Sequence, residues 1–156
     1  MTWQVEPLGS RHDRNRFCCG RAQLDDYIRQ HAGQHTRKSV GRTFVAVLPG
    51  ATAVMGYYTL SASSVAFAHA PEPLRKRLPR YPLPAALLAK FVVDQSAQGQ
   101  GLGEFLLVDA LRRVAGISDQ IAIFAVEVHA IDARAAAFYK RYGFRPFLDQ
   151  PSLLFL

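Results

Sequence analysis

Apolar and polar positions recur along the chain with two different periods. Trp3-Gln4-Val5-Glu6-Pro7-Leu8 alternates and predicts a short strand, ended by proline and glycine. After Gly20 the period lengthens. Leu24, Tyr27, Ile28 and His31 share one helical face, with Arg21, Asp25, Arg29 and Gln30 on the other. Thr43–Leu48 predicts a strand closed by Pro49-Gly50, and Val54–Leu60 its hairpin partner, continuing into Ser61 and Ser64. From Ala70 to Pro84 the pattern breaks. Five prolines (Pro71, Pro73, Pro79, Pro82, Pro84) remove backbone donors there, which predicts an exposed loop with room for one helical turn. Strand-like sequence resumes over Leu87–Val93. Beyond it Leu102, Leu106, Ala110 and Val114 line a helix face, widened by Phe105, Leu107 and Leu111 and ended by Gly116. Ile121–Val128 is β-rich apart from Glu127 and suits a strand buried on both faces. Asp132 can cap a helix from Ala133 to about Tyr142, with Gly143 as a left-handed stop, and Phe144–Leu148 and Leu153–Leu156 close the chain as strands. This order predicts an α/β fold in a single domain, 1–156.

Between the Leu87–Val93 strand and the next helix lies Gln98-Gly99-Gln100-Gly101-Leu102-Gly103. A glycine-rich turn entering a helix brings backbone N–H groups and the positive end of the helix dipole to a phosphate. Three phosphate loops compete. A Walker loop needs Gly-Lys-Ser/Thr, which the chain lacks, so nucleoside triphosphate hydrolysis is disfavoured. A dinucleotide fingerprint counted from Gly99 finds Gly101 but then Glu104, so its third glycine is missing; Glu127 at a ribose-binding spacing keeps it as a weak alternative. The third is Gln-x-x-Gly-x-Gly, met by Gln98, Gly101 and Gly103. A ligand-free helix entry is the plain alternative to all three.

The net charge of +7, from 19 Lys plus Arg against 12 Asp plus Glu, favours polyanionic partners, nucleic acid among them. No apolar run spans a bilayer, and Met1–Ser10 has neither the basic start nor the apolar stretch of a signal peptide, so a cytoplasmic protein is expected. Cys18 and Cys19 are adjacent, which offers no disulfide framework and a poor zinc site; no metal is expected.

Gln98-x-x-Gly101-x-Gly103 resembles the pyrophosphate loop of the GCN5-related N-acetyltransferases (GNAT), and the resemblance sharpens downstream. Asp132-x-x-Ala135-x-x-Phe138-Tyr139, followed by Tyr142-Gly143-Phe144, looks like the family pattern Asn-x-x-Ala-x-x-x-Tyr…Gly-Phe, with Asp132 in place of the commoner Asn. The resemblance implies a GNAT fold, a mixed central sheet of about six to seven strands flanked by about four helices, and acetyl-coenzyme A as cofactor. It implies a cradle at Gln98, Gly99, Gln100, Gly101, Leu102, Gly103 and Glu104, with Phe91, Val92, Val93, Asp132 and Phe138 as further contacts. A backbone N–H at Val92 or Val93 is expected to hold the acetyl carbonyl. Tyr139 is expected to act as general acid to the coenzyme thiolate, against the alternative of a core aromatic beside Phe138 and Tyr142. With a reference pKa of about 10 its phenol stays protonated at neutral pH. An α-amine acceptor of pKa about 7.7–8.0 needs no dedicated base. His129 is expected to be structural or a substrate contact, and Glu127 to pair with an arginine.

The opening Phe17-Cys18-Cys19-Gly20-Arg21-Ala22-Gln23-Leu24-Asp25-Asp26-Tyr27-Ile28 resembles that of the acetyltransferase toxins of toxin–antitoxin pairs. Arg42-Thr43-Phe44-Val45, Gly56–Ser61, the proline-rich basic loop and Leu153–Leu156 resemble them in the same order. This implies acetylation of the α-amino group of aminoacyl-tRNA, arrest of translation, a homodimer, and a ribbon-helix-helix antitoxin. Arg37, Lys38, Arg42, Arg75, Lys76, Arg77 and Arg80 are then candidates to track tRNA phosphates, which position a substrate without reading its sequence. Two other readings remain: a GNAT enzyme for a small-molecule or protein amine, and a non-catalytic basic module that binds nucleic acid.

Overall fold

The computed structural model describes residues 2–66, 72–76, 80, 82–147 and 150–155, without the side chains of residues 74, 147 and 150–155. In chain order the elements are β1 (Gln4–Pro7), α1 (Ala22–Asp26), a π-helical turn (Tyr27–His31), α2 (Ala32–Arg37), β2 (Arg42–Val47), β3 (Gly56–Val65), α3 (Glu72–Arg75), β4 (Leu83–Val93), a 3-10 turn (Gln95–Ala97), α4 (Leu102–Ile117), β5 (Ala125–His129), α5 (Ala133–Arg141), β6 (Arg145–Phe147) and β7 (Gln150–Phe155). Strand order in the seven-stranded sheet is β1-β2-β3-β4-β5-β7-β6. The sheet is mixed, because β4 and β5 run parallel whereas β1–β2, β2–β3, β5–β7 and β6–β7 are antiparallel. Two compact units divide the chain: Met1–Ser61 with Ala89–Arg113, and Ala62–Leu88 with Val114–Leu156.

In the first unit, Phe17, Tyr27, Ile28, Ala32, Val45, Val47, Val54, Tyr57 and Val92 form one buried cluster. Burying each larger side chain contributes roughly 1.5–3 kcal/mol. The buried tyrosines must also satisfy their hydroxyls: Tyr57 Oη donates to Leu24 O at 2.6 Å, and Tyr27 Oη pairs with His35 Nδ1 at 3.2 Å. On α4, Leu102, Leu106, Leu107 and Ala110 are buried as the periodicity predicts, whereas Phe105 is exposed and lies against Trp3 at 5.9 Å. A polar lock sits beside them. Tyr58 Oη donates to Asp109 and accepts from Arg113 Nε, and the Arg113 guanidinium covers the Phe44 ring at 3.8 Å.

The first helical face departs from the expected one. His31 is exposed and Ala32 is fully buried, because the π turn closes with Ala32 N–H on Tyr27 O and rotates the following residues out of α-helical phase. Asp25, expected on the solvent face, is buried; its carboxylate reaches back to accept from Cys19 N–H at 2.8 Å.

Gly56 opens β3 where nothing larger fits. A Cβ there would lie 2.9 Å from Leu106 Cδ1 and 3.1 Å from Val92 O. Gly56→Ala is therefore expected to destabilise the fold by about 1–3 kcal/mol, read as a lowered midpoint in a thermal melt.

In the second unit, Ala85–Leu88 pairs with Ala125–Val128, and β5 pairs with β7 from Glu127↔Phe155 to His129↔Leu153. β4 begins at Leu83, before the expected Leu87. Pro84 is tolerated near the start of the strand because only its carbonyl is needed, accepting from Phe124 N–H at 2.8 Å. β5 begins at Ala125, not Ile121. Ile121 N–H is spent on Ile117 O at the end of α4, and Ile121 and Phe124 are left exposed. Gly116 stands inside the exposed last turn of α4 and does not stop it. Within β5, Ala125 to Val128 are buried, as expected for a strand covered on both faces. Leu148 and Leu156, at the ends of the two expected closing strands, lie outside the described residues. No described helix is long and apolar enough to cross a membrane.

Candidate active site

The glycine turn belongs to the first unit. Gly99 and Gly101 have φ of +77° and +85°, values that favour glycine, and a Cβ on either would meet nothing within 4 Å. Residues 98–101 are exposed, then Leu102 turns its side chain into the core and starts α4. No described backbone acceptor takes the N–H of Gly99, Gln100 or Gly101, and the first N–H groups of any helix lack intrahelical partners. These donors, at the positive end of a 16-residue helix, form a nest suited to an anion. The pyrophosphate of a coenzyme fits that cradle. The loop's polar side chains face elsewhere. Gln98 Nε2 donates to Val93 O and Cys19 O, Gln100 Nε2 donates to Ser96 O at 3.1 Å, and Glu104 is exposed in the first helical turn.

Phe91, Val92 and Val93 end β4 in the same unit. The parallel ladder to β5 covers Ala85–Leu88, and β4 continues five residues past it. Val92 is buried, and Phe91 and Val93 are half-buried. Cys18 is exposed. Cys19 is half-buried, and burial, then the neighbouring Asp25, pushes its thiol up to about 11, so it is protonated at neutral pH.

Asp132, Phe138 and Tyr139 lie together on α5 in the second unit. Asp132 is the N-cap, accepting from Ala135 N–H at 2.8 Å, which is the capping role its position allowed. Gly143 ends the helix at φ +96°. The Tyr139 ring is buried, with Phe138 at 5.5 Å and Phe144 at 5.4 Å. Burial raises its phenol above the ordinary tyrosine value, which keeps the proton on Oη. His129 is exposed at the end of β5. Glu127 is buried and accepts from Ser63 Oγ at 2.8 Å; its described partner is this hydroxyl rather than the expected arginine.

Among the basic candidates, Arg37, Lys38 and Arg42 are exposed around the end of α2 and the start of β2 in the first unit. Lys76 and Arg80 are exposed and Arg75 is half-buried in the second; Arg77 lies outside the described residues. Sequence reasoning passed over Asp94, which caps the 3-10 turn before the loop by accepting from Ser96 N–H. An Asp two residues ahead of a Ser at a strand end was the available signal. Among the described residues there is no group of three or more His, Cys, Asp or Glu that could hold a metal ion.

Residues 39–146 match the family model described as an acetyltransferase (GNAT) domain. The chain is 34% identical to a probable toxin TacT of Sinorhizobium fredii, over 97% of this chain and 89% of that protein. It is 39% identical to a tRNA-acetylating toxin of Mycobacterium tuberculosis, over 85% and 78%. Among solved structures, a KacT point mutant superposes with a TM-score of 0.95 at 29% identity, covering 100% of this chain and 95% of that one. AtaT complexed with acetyl-methionyl-tRNAfMet superposes at 0.93 and 29%, covering 99% and 94%. A structure of AtaTR bound with acetyl-coenzyme A superposes at 0.86 and 30%, covering 99% and 92%. By that domain match and these identities, the chain belongs to the GNAT acetyltransferases and is akin to their tRNA-acetylating toxins.

Proposed function

We propose that the chain, working as one domain over residues 1–156, transfers an acetyl group from acetyl-coenzyme A to the α-amino group of an aminoacyl-tRNA and so withdraws it from translation. The observation that carries this reading is the open N–H nest at Gly99–Gly103, in a chain whose residues 39–146 match the acetyltransferase (GNAT) domain. The tRNA-acetylating relatives support the acceptor.

When bound, the coenzyme supplies the acetyl thioester that the amine attacks. Gly99, Gln100, Gly101, Leu102 and Gly103 would hold its pyrophosphate through backbone N–H groups, and Val92 or Val93 would orient the acetyl carbonyl through a backbone N–H. Tyr139 Oη, protonated at neutral pH, would give its proton to the sulfur as the C–S bond breaks, and the proton shed by the attacking nitrogen would restore the phenol through solvent. An α-amine is already partly neutral near pH 7.7–8.0, its reference pKa being about that value, so the chain needs no separate base. Phe91 and Glu104 in the first unit, and Asp132 and Phe138 in the second, are the further residues assigned to the coenzyme. Arg37, Lys38, Arg42, Arg75, Lys76, Arg77 and Arg80 attract tRNA phosphates. The chain acts in the cytoplasm as a homodimer restrained by a ribbon-helix-helix antitoxin; an antitoxin-bound relative among the solved structures supports an antitoxin as partner.

The test is incubation with acetyl-coenzyme A and total charged tRNA, followed by mass spectrometry of the released aminoacyl groups. N-acetylated aminoacyl ester is expected. Coenzyme binding without any acetylated ester overturns the tRNA acceptor and leaves a small-molecule or protein amine; failure to bind coenzyme leaves only a basic nucleic-acid-binding module.

A further inference from the structure

Behind the glycine turn, two segments distant in sequence are fastened together. Asp94 Oδ1 accepts from Cys18 N–H at 2.8 Å, and Asp94 Oδ2 accepts from Ser96 N–H at 3.0 Å and from its hydroxyl. Gln95 N–H donates to Cys18 O at 2.8 Å. Gln98 Nε2 donates to Val93 O at 3.1 Å and to Cys19 O at 3.4 Å, so both of its amide protons are spent on carbonyls of the protein. Asp94 N–H in turn donates to Met55 O at 2.8 Å, which ties the clasp to the start of β3. The chain leaves it through Gly20 at φ +96°.

We propose that Asp94 and Gln98 are positioning residues for the coenzyme: they clasp the turn to the Cys18–Cys19 segment, so that its N–H groups are set before the pyrophosphate arrives. This rests on the coenzyme reading of the loop. Gln98 then serves the site from behind, through Val93 and Cys19, rather than by touching the ligand. The physical case is preorganisation. A turn with two left-handed glycines is loose unless its entry is held, and ordering it on binding would cost affinity. The partners are exacting. Asp94 accepts three bonds with two oxygens, and asparagine has only one oxygen, so one N–H or O–H must lose its acceptor. Methionine at Gln98 keeps the length and removes both donors. The clasp also separates binding from chemistry, because none of its bonds involves Tyr139.

The experiment compares Asp94→Asn and Gln98→Met with the unaltered chain by titration calorimetry with acetyl-coenzyme A, and by initial rates at saturating charged tRNA. Each variant is expected to raise Kd and KM for acetyl-coenzyme A about tenfold, the size of one lost charge-assisted or doubled hydrogen bond, with kcat within about twofold. Ser96→Ala removes one contact to Asp94 without touching the strand or the turn. It is expected to raise the coenzyme KM about threefold and serves if the stronger variants fail to fold. Unchanged coenzyme affinity in folded variants overturns the clasp, as does an equal fall in kcat. An unaltered chain that binds no coenzyme overturns the loop reading itself, so the two failures are distinguishable.

Discussion

Replacing Tyr139 with phenylalanine should lower kcat by about 10²–10⁴-fold, the range of a positioned proton donor, and leave the Kd for acetyl-coenzyme A within about twofold. The substitution removes only Oη. The ring stays where Phe138 and Phe144 pack against it, and the Asp132 cap and Gly143 stop still fix the helix that carries it. Single-turnover rates with coenzyme calorimetry separate the two effects; an unchanged kcat removes the phenol from the mechanism. The pH profile adds a second check. Rate should rise as the α-amine loses its proton near its reference value of about 7.7–8.0. It should then hold to about pH 10, because an ordinary tyrosine ionises near there and burial moves Tyr139 higher. The hydroxyl is a donor only below its pKa, so a raised pKa extends the active range upward. A fall beginning near pH 9 assigns the acid to another group.

Turnover of charged tRNA at subsaturating concentration should fall by roughly 10³-fold between 50 and 200 mM salt, as expected for about six phosphate contacts. Arg37, Lys38, Arg42, Lys76 and Arg80 are exposed, and each can displace a cation condensed on the tRNA. Charge removal at one of them, Lys38→Ala, should reduce the slope of log affinity against log salt by about 0.7–0.9 and weaken all tRNAs alike. The KM for coenzyme should change far less, since fewer charges meet there. A rate indifferent to salt points to a small amine as acceptor.

The glycine turn and the Tyr139 helix were both legible in the sequence, because their determinants are local. Gly99 and Gly101 are needed where φ is positive, Asp132 reaches an N–H three residues on, and Gly143 stops the helix it follows. The errors fell where a distant or non-regular partner took over. Ile121 and Phe124 have strand-forming side chains, yet the end of α4 claims Ile121 N–H and β5 starts at Ala125. Pro84 reads as a breaker but needs only its carbonyl in β4. The π turn at Tyr27–His31 leaves no mark on a helical period, and it exchanged His31 for Ala32 in the core.

Local spacing and turn chemistry alone therefore determined the α/β class, the glycine turn and the tyrosine helix, and the resemblance of the opening motif pointed to the toxins. Only the tertiary structure decided where polar side chains spend their hydrogen bonds. It buried Asp25 on Cys19, gave Glu127 a serine in place of an arginine, and turned Gln98 away from the open face of its own loop toward Val93 and Cys19. The reason is range. Backbone conformation follows from neighbours a few residues away, whereas a buried polar group must take whichever partner folding brings within about 3 Å, wherever in the sequence that partner lies.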